Sequence, residues 1–247
     1  MDIFSAALMG LVQGLTEFLP VSSSGHLVLA QKIIPGFDQP GIAFEVILHA
    51  GTLLAILFYF RSSIFSLSRR FVSLLILGTI PAVIIGFLFQ DMLEGFFDSV
   101  AIVGFALLIT GIINIITDKN TGKNKNISTS HSLLIGLAQA IAIIPGISRS
   151  GSTIFAATSL GISKEEAAKF SFLLSVPAVI GANVLELISQ TGTGSFDFSI
   201  YFSGFLAAAL SGYFAIGLVF KILTNNKFNY FGVYCLLLGL FTLLVLA

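Results

Sequence analysis

Residues 13–27 read QGLTEFLPVSSSGHL, and residues 145–153 read PGISRSGST. Each stretch places proline, glycine and serines in the middle of a long apolar region, where a membrane helix ordinarily carries apolar side chains. The first stretch also contains Glu17 and His26, and the second contains Arg149. We call them the first and second break, and the fold that the sequence predicts depends on them.

The composition indicates an integral membrane protein. Of the 247 residues, 56% are hydrophobic and only 10% are charged, and the mean hydropathy is +1.01. A soluble globular protein carries about 25% charged residues. The formal net charge is zero, so nothing points to a nucleic-acid partner, and none is expected.

Six apolar stretches are long enough to cross the hydrocarbon core as helices, which takes about 20 residues. They lie at residues 42–60, 71–90, 99–117, 166–189, 199–220 and 229–247. Two further apolar regions, 3–34 and 131–161, are divided by the breaks into halves that are too short to cross. Because irregular backbone at membrane depth must be surrounded by protein or water, we expect each region to be a re-entrant helix-loop-helix hairpin.

Basic residues occur in alternate loops, and cytoplasmic loops collect lysine and arginine. The intervening loops carry Asp91, Glu94, Asp98 and Asp197 and no basic residue. This alternation places both termini outside and makes the two hairpins enter the membrane from opposite sides.

Oppositely oriented hairpins indicate an inverted repeat. GLTE at residues 14–17 is followed by PVSSSGH, as GLAQ at residues 136–139 is followed by PGISRSG. The tetrapeptide PAVI occurs at both 81–84 and 177–180. The single membrane domain, residues 1–247, is then predicted to comprise a first repeat, a cytoplasmic linker and a second repeat, at residues 1–117, 118–130 and 131–247.

Both breaks carry groups that bind phosphate. Serine is a favoured helix N-cap, and the free N–H groups of a helix N-terminus attract anions. The planar guanidinium of Arg149 matches phosphate in a bidentate manner. We predict a phosphate site formed by Gln13, Ser22, Ser23, Ser24, Ser148, Arg149 and Ser150.

The first break also offers groups for catalysis. Glu17 lies four residues after Gln13, on the same helical face, and suits a divalent cation, Mg or Ca, that bridges the substrate's phosphates. His26 lies three residues after Ser23 and four after Ser22, which suits a base that activates a serine nucleophile. The spacing leaves open which serine attacks, and whether His26 itself attacks.

Other interpretations stay open. Serine and glycine in membrane helices often serve close packing, and Arg149 can form a structural pair with Glu17. Glu45 and His49, four residues apart, either form a buried pair or line the site. Inverted repeats with broken helices are typical of secondary transporters, so a carrier or flippase of an anion is the alternative function. An intramembrane serine protease would leave Arg149 and Glu17 without a role.

QGLTEFLPVSSSGH and PGISRSGST resemble the two signature regions of the undecaprenyl-diphosphate phosphatase family of the bacitracin-resistance type. The similarity extends to FEVILHAGTLLAI at residues 44–56 and KFSFLLSVPAVIGA at residues 169–182. The resemblance implies a bacterial inner-membrane enzyme that removes the terminal phosphate of undecaprenyl diphosphate. Such an enzyme recycles the lipid carrier of peptidoglycan synthesis and confers bacitracin resistance.

The resemblance also implies roles for residues. The family's metal and pyrophosphate positions fall on Gln13 and Glu17, its serine and histidine on Ser23 and His26, and its phosphate-binding arginine on Arg149. Because Gln13 stands where other members carry glutamate, Glu17 is the principal carboxylate.

The working hypothesis is that Ser23 attacks the terminal phosphorus, with His26 as the base, and that water hydrolyses the phosphoenzyme. The polyprenyl diphosphate is expected to enter laterally from the membrane and to be cleaved on the extracytoplasmic side. The sequence allows a homodimer and leaves the oligomeric state open.

Overall fold

A computed structural model describes residues 1–33, 42–120, 122, 125–189 and 197–247, with the side chains of all these residues except 42 and 185–189. Within these ranges the regular structure is entirely helical. Residue 34 of the predicted first hairpin and residues 121, 123 and 124 of the predicted linker lie outside the described residues.

The described residues form twelve α-helices. In chain order they are α1 Ile3–Phe18, α2 Ser23–Ile33, α3 Ile42–Tyr59, α4 Arg61–Ile64, α5 Arg69–Leu88, α6 Gln90–Phe97, α7 Val100–Lys119, α8 Thr129–Ile141, α9 Arg149–Ser159, α10 Lys164–Ser189, α11 Phe198–Thr224 and α12 Asn229–Phe241. A π-helical turn, Thr242–Leu246, continues α12.

Five helical segments of the described chain are long and apolar enough to cross a membrane, namely Arg69–Leu88, Val100–Lys119, Lys164–Val184, Phe198–Thr224 and Asn229–Leu246. The predicted all-α, multi-pass membrane protein is therefore confirmed. The predicted span at residues 42–60 becomes α3, whose segment Ala43–Tyr59 belongs with α1 among the apolar helices of 10–17 residues. Five of the six predicted spans therefore coincide with helical segments that are long and apolar enough to cross.

Both breaks interrupt their helices where the sequence predicts. The first separates α1 from α2, and the second separates α8 from α9. The structure adds two short helices that the sequence-based analysis treated as loops. These are α4, after α3, and α6, in the acidic connection between α5 and α7.

The helices before the two breaks are each fixed against a long helix from the other half of the sequence. α1 packs on α11, and α8 packs on α5. A Cβ added to Gly10 would lie 2.2 Å from the carbonyl oxygen of Gly204, and a Cβ added to Gly136 would lie 2.2 Å from that of Gly78. Small residues that let backbones approach are how membrane helices gain packing energy, since lipid supplies no hydrophobic drive between them.

Basic residues from separate loops collect at one end of the bundle. Arg70 and Lys125 line the same shallow cavity beside the first turn of α5. Lys164 lies 3.6 Å from the carboxylate of Asp118 and donates to the side-chain oxygen of Asn226 at 2.6 Å. The acidic helix α6 follows the opposite end of α5.

The PAVI repeat needs a correction. Its first copy, at residues 81–84, lies in α5, the second long helix after the first hairpin, whereas its second copy lies in α10, the first long helix after the second hairpin. The copies do not occupy equivalent places in the two halves, so they do not support an inverted repeat. Instead, α5 and α10 pack together, and Ala82 and Ala178 line one cavity.

Candidate functional site

A cavity of about 660 Å³ lies where the two breaks meet, and we call it the central cavity. The first break contributes Gln13, Glu17 and the three serines 22–24 to its lining, and the second contributes Ser148 and Arg149. Glu45 and His49 of α3 also line it, which places them with the site residues. Ser150 is buried beside Leu19, whose carbonyl accepts its hydroxyl at 3.3 Å.

Glu17 is the centre of the polar cluster. Its Oε1 accepts from Nη2 of Arg149, which joins the two breaks through an ion pair. Its Oε2 accepts from Ser23 Oγ at 2.7 Å and from Gln13 Nε2 at 3.1 Å. The pair of Glu17 and Arg149 that the sequence allowed for is thus formed. A buried carboxylate with three donors is well compensated, because each donor replaces hydration lost on burial.

Ser23 has a different partner from the one that the sequence suggested. The spacing favoured a contact with His26, but the Ser23 hydroxyl donates to Glu17. The reason is local, because Ser22 has φ 71° and turns the chain sharply just before α2 begins. Non-glycine residues rarely adopt this left-handed conformation. In the resulting turn, Ser23 points back to α1.

His26 lies beside the central cavity and packs against α12. Its Nδ1 is 2.7 Å from the carbonyl oxygen of Ser22, and its Nε2 is 2.7 Å from Oη of Tyr234. Because a carbonyl only accepts, Nδ1 carries the proton, and in the neutral ring Nε2 accepts from the tyrosine hydroxyl. The imidazole therefore contacts the backbone of the Ser22–Ser23 turn.

The two breaks contact each other directly. Ser22 Oγ accepts from the backbone N–H of Gly25 at 3.3 Å and from that of Gly146 at 3.1 Å. Ser148 is the N-cap of α9, and its Oγ accepts from Gly151 N–H at 3.1 Å. Gly146 has φ +95°, a conformation that glycine adopts without strain. The N-termini of α2 and α9 thus lie at the same place, as the sequence predicts.

Helix α7 holds both breaks, which the sequence-based analysis missed. Asn114 Nδ2 donates to the carbonyl of Pro20 at 2.6 Å. One turn earlier, Thr110 Oγ1 donates to the carbonyl of Gly146 at 2.8 Å and accepts from Ser148 N–H at 3.0 Å. Both side chains are buried. The available signal was an asparagine and a threonine four residues apart inside an apolar span.

The remaining lining of the central cavity is mostly apolar. α5 contributes Ala82, Val83 and Phe87, and α10 contributes Ala178 and Val179. Val83 is 59% exposed and Phe87 is 71% exposed, so this wall reaches the lipid-facing surface. The cavity therefore joins a polar end at the breaks to an apolar side that faces the membrane.

The carboxylates of the central cavity suit a cation only together with a substrate. The cavity is lined by Glu17 and Glu45, and the described residues contain no group of three or more His, Cys, Asp or Glu that could hold a metal. Magnesium in phosphate-transfer sites is held by one or two carboxylates plus the substrate's phosphate oxygens. The residues of the cavity therefore fit a divalent cation that is bound by a protein carboxylate and by the phosphate oxygens of the substrate.

Comparison with known proteins shows the family of the chain. The profile of the family described as bacitracin resistance protein BacA matches residues 6–241. The chain belongs to the BacA family. Both breaks, α7 and every residue placed above at the central cavity lie within the matched range.

Three similar relatives carry the same name. A protein of Carboxydothermus hydrogenoformans named undecaprenyl-diphosphatase is 43% identical over 257 residues, covering 100% of this chain and 98% of the relative. Proteins of the same name from Syntrophotalea carbinolica and Halothermothrix orenii are each 42% identical, the first covering 97% of both chains and the second 99% of this chain and 98% of its own.

Proposed function

We propose that this protein is an undecaprenyl-diphosphate phosphatase, which releases phosphate from undecaprenyl diphosphate and leaves undecaprenyl phosphate in the membrane. The proposed reaction regenerates the lipid carrier of peptidoglycan synthesis, and a role in bacitracin resistance fits the description of the family. The names of the relatives support this reaction.

One observation carries the proposal. The carboxylate of Glu17 joins a serine hydroxyl and an arginine at the polar end of a cavity whose other wall is apolar and reaches the lipid-facing surface. A diphosphate needs cationic and N–H donors, and its polyprenyl tail needs apolar surface. The central cavity offers both, so the tail can remain in lipid while the diphosphate reaches Ser23.

The geometry favours Glu17 as the group that receives the Ser23 proton. Ser23 Oγ attacks the terminal phosphorus as its proton passes to Glu17 Oε2, 2.7 Å away. The bond between that phosphorus and the bridging oxygen breaks, and undecaprenyl phosphate leaves. Water then attacks the phosphoserine and releases inorganic phosphate. His26 supports the attack by holding the Ser22 carbonyl, and so acts on Ser23 through the turn.

Charge neutralisation is the second contribution. Phosphoryl transfer depends mainly on positioning and on stabilising the charge of the transferring group. Arg149 lies at the N-terminus of α9 with the Ser148 cap beside it, so guanidinium and backbone N–H groups face the same place. A divalent cation, Mg or Ca, would be held by Glu17 together with the phosphate oxygens of the substrate, and it would supply further positive charge.

The proposed topology follows from the same features. α3 serves as a sixth span, and the two broken pairs, α1–α2 and α8–α9, form re-entrant hairpins that enter from opposite sides in an inverted repeat. The first helix of each hairpin packs on a long helix of the other repeat unit, α1 on α11 and α8 on α5, and this supports the repeat. Residues 1–117 and 131–247 remain its proposed units.

The site is proposed to face outward from a bacterial inner membrane. Gln90, Leu93 and Phe97 of the acidic helix α6 line the central cavity, at the end of α5 opposite its arginines. Cytoplasmic ends collect basic residues, so the cavity opens on the extracytoplasmic side. The homodimer stays a prediction.

The function is tested by phosphate release from undecaprenyl diphosphate in detergent, with and without a chelator. The native chain is expected to release phosphate, less with the chelator present. Arg149→Lys, which keeps the charge but loses the planar fork, and Arg149→Ala are expected to lose activity, roughly a thousandfold for alanine. Arg70→Ala, an exposed arginine at the basic end, is the matched control.

If the native chain shows a thermal unfolding transition but releases no phosphate, the proposed phosphatase function is wrong. Flux of polyprenyl phosphate across liposomes would then be measured to test the carrier.

A further inference from the structure

Gln139 is a buried amide of the central cavity that has no partner. It lies in α8, two residues before the helix ends, and it is 3% exposed. Neither Nε2 nor Oε1 makes a hydrogen bond to any described residue. Gln13 and Asn114 also have an unpaired buried oxygen, but the nitrogen of each donates, to Glu17 and Pro20 respectively. Buried amides are normally satisfied, so two unpaired atoms need an explanation.

The position of Gln139 mirrors that of Glu17. Each is the last residue of its tetrapeptide, GLAQ or GLTE, and each lies near the end of the helix that precedes a break. Each also follows, by three residues, a glycine in close contact with a long helix, Gly136 with α5 and Gly14 with α11. The two side chains therefore reach the central cavity from its two halves.

The difference between the two side chains is chemical. A carboxylate only accepts hydrogen bonds and repels phosphate, whereas the amide of Gln139 offers two N–H donors and no charge. With Glu17 already bearing one negative charge, a second carboxylate would oppose a diphosphate. A neutral donor at this place binds phosphate oxygens without that cost.

The surroundings indicate which phosphate it binds. One turn after Gln139, Ala142 and Ile143 line the apolar side of the cavity, near Gly86 of α5. Ser23 and Arg149 occupy the polar end. Gln139 thus lines the same cavity as the reacting groups, one turn before residues that belong to its apolar side.

We propose that the Gln139 amide binds the phosphate that stays on the lipid, and so positions the polyprenyl diphosphate for attack by Ser23. This inference rests on the proposed function for its substrate class. Because the same phosphate is present in substrate and product, the contact is kept through the reaction and acts mainly on affinity.

Three variants test the proposal. Gln139→Met removes the amide and keeps the length, and Gln139→Glu keeps the shape and replaces the donors. The control, Gln31→Met, removes an exposed amide of α2 that does not line the central cavity. Binding of undecaprenyl phosphate to each purified chain in nanodiscs is measured without turnover. KM, kcat and the unfolding temperature are measured alongside.

Gln139→Met is expected to bind undecaprenyl phosphate about tenfold or more weakly, as for loss of a hydrogen bond to a charged group, with KM raised similarly and kcat little changed. Gln139→Glu is expected to bind undecaprenyl phosphate more weakly still, and Gln31→Met is expected to match the native chain. The unfolding temperature of Gln139→Met is expected to equal or exceed the native value, since the amide has no partner to lose.

The inference is wrong if Gln139→Met binds undecaprenyl phosphate with native affinity and has the native KM. It is also wrong if the unfolding temperature falls while the affinity is unchanged, because the amide would then have a structural role. If the native chain binds undecaprenyl phosphate through Gln139 but releases no phosphate from the diphosphate, the contact between Gln139 and the lipid phosphate stands and the phosphatase reaction is overturned.

Discussion

The first break, between α1 and α2, and the second, between α8 and α9, share their backbone design. Each turns the chain through a residue of positive φ, Ser22 or Gly146, and each carries a serine whose hydroxyl accepts from the helix that follows. Their side chains differ. The first break supplies Glu17 and Ser23, whereas the second supplies Arg149 and the helix before it supplies Gln139. A repeated backbone thus presents an acceptor and a nucleophile on one side, and a neutral donor and a cation on the other.

Glu17→Gln makes the first break resemble the second and has the largest expected effect. The amide cannot take the proton of Ser23 and leaves Arg149 without a counter-charge. Phosphate release is expected to fall roughly 100- to 10,000-fold, the contribution of a general base. The measurement is kcat/KM on undecaprenyl diphosphate, with exposed Glu165→Gln as the matched control. A Glu17→Gln enzyme within a few fold of native would remove Glu17 from the proton transfer.

Thr110→Val tests whether α7 holds the second break in position. The substitution leaves the Gly146 carbonyl and the Ser148 N–H without their partner, which costs about 1–3 kcal/mol of stability. Activity is expected to fall roughly tenfold, since small displacements of binding groups are costly. Thr117→Val is the control, because this buried threonine of α7 donates to the Ile113 carbonyl of its own helix. Equal effects of the two variants would contradict the role of α7.

Tyr234→Phe has the smallest expected effect and separates the two roles of His26. If His26 only holds the Ser22 carbonyl through Nδ1, loss of the Tyr234 hydroxyl that bonds to Nε2 is expected to change kcat about twofold to threefold. This is the effect of losing a modest hydrogen bond. A nucleophilic Nε2 would have to leave Tyr234 first, so a large change in kcat in Tyr234→Phe would favour His26 as nucleophile. His26→Ala, measured in parallel, shows the full contribution of the ring.

Local features of the site were predictable from sequence, and long-range ones were not. Proline, glycine and serine clusters in apolar runs predicted both breaks, and the cost of an arginine at depth predicted a partner for Arg149. The Ser23–Glu17 contact was missed because spacing along an ideal helix ignores the left-handed turn at Ser22. Short repeats also misled, since the two PAVI copies lie in non-equivalent helices.

Contacts between distant segments account for the other omissions. Thr110 and Asn114 bond to residues 36 and 94 positions away, and no local pattern encodes such pairs. The sequence did contain a signal for Gln139, because the similarity of GLAQ to GLTE aligns Gln139 with Glu17. A neutral glutamine at that position did not by itself indicate a functional residue. Its importance depends on burial without a partner, which only the structure provides.

The central claim is that Ser23, paired with Glu17, attacks the terminal phosphorus. Undecaprenyl diphosphate labelled in its terminal phosphate would be mixed with excess native enzyme and quenched within the first turnover, and the labelled residue identified by mass spectrometry. The expected result is phosphoserine at residue 23, absent in Ser23→Ala. Phosphohistidine at residue 26, or full product formation with no labelled residue at any time, would contradict the account.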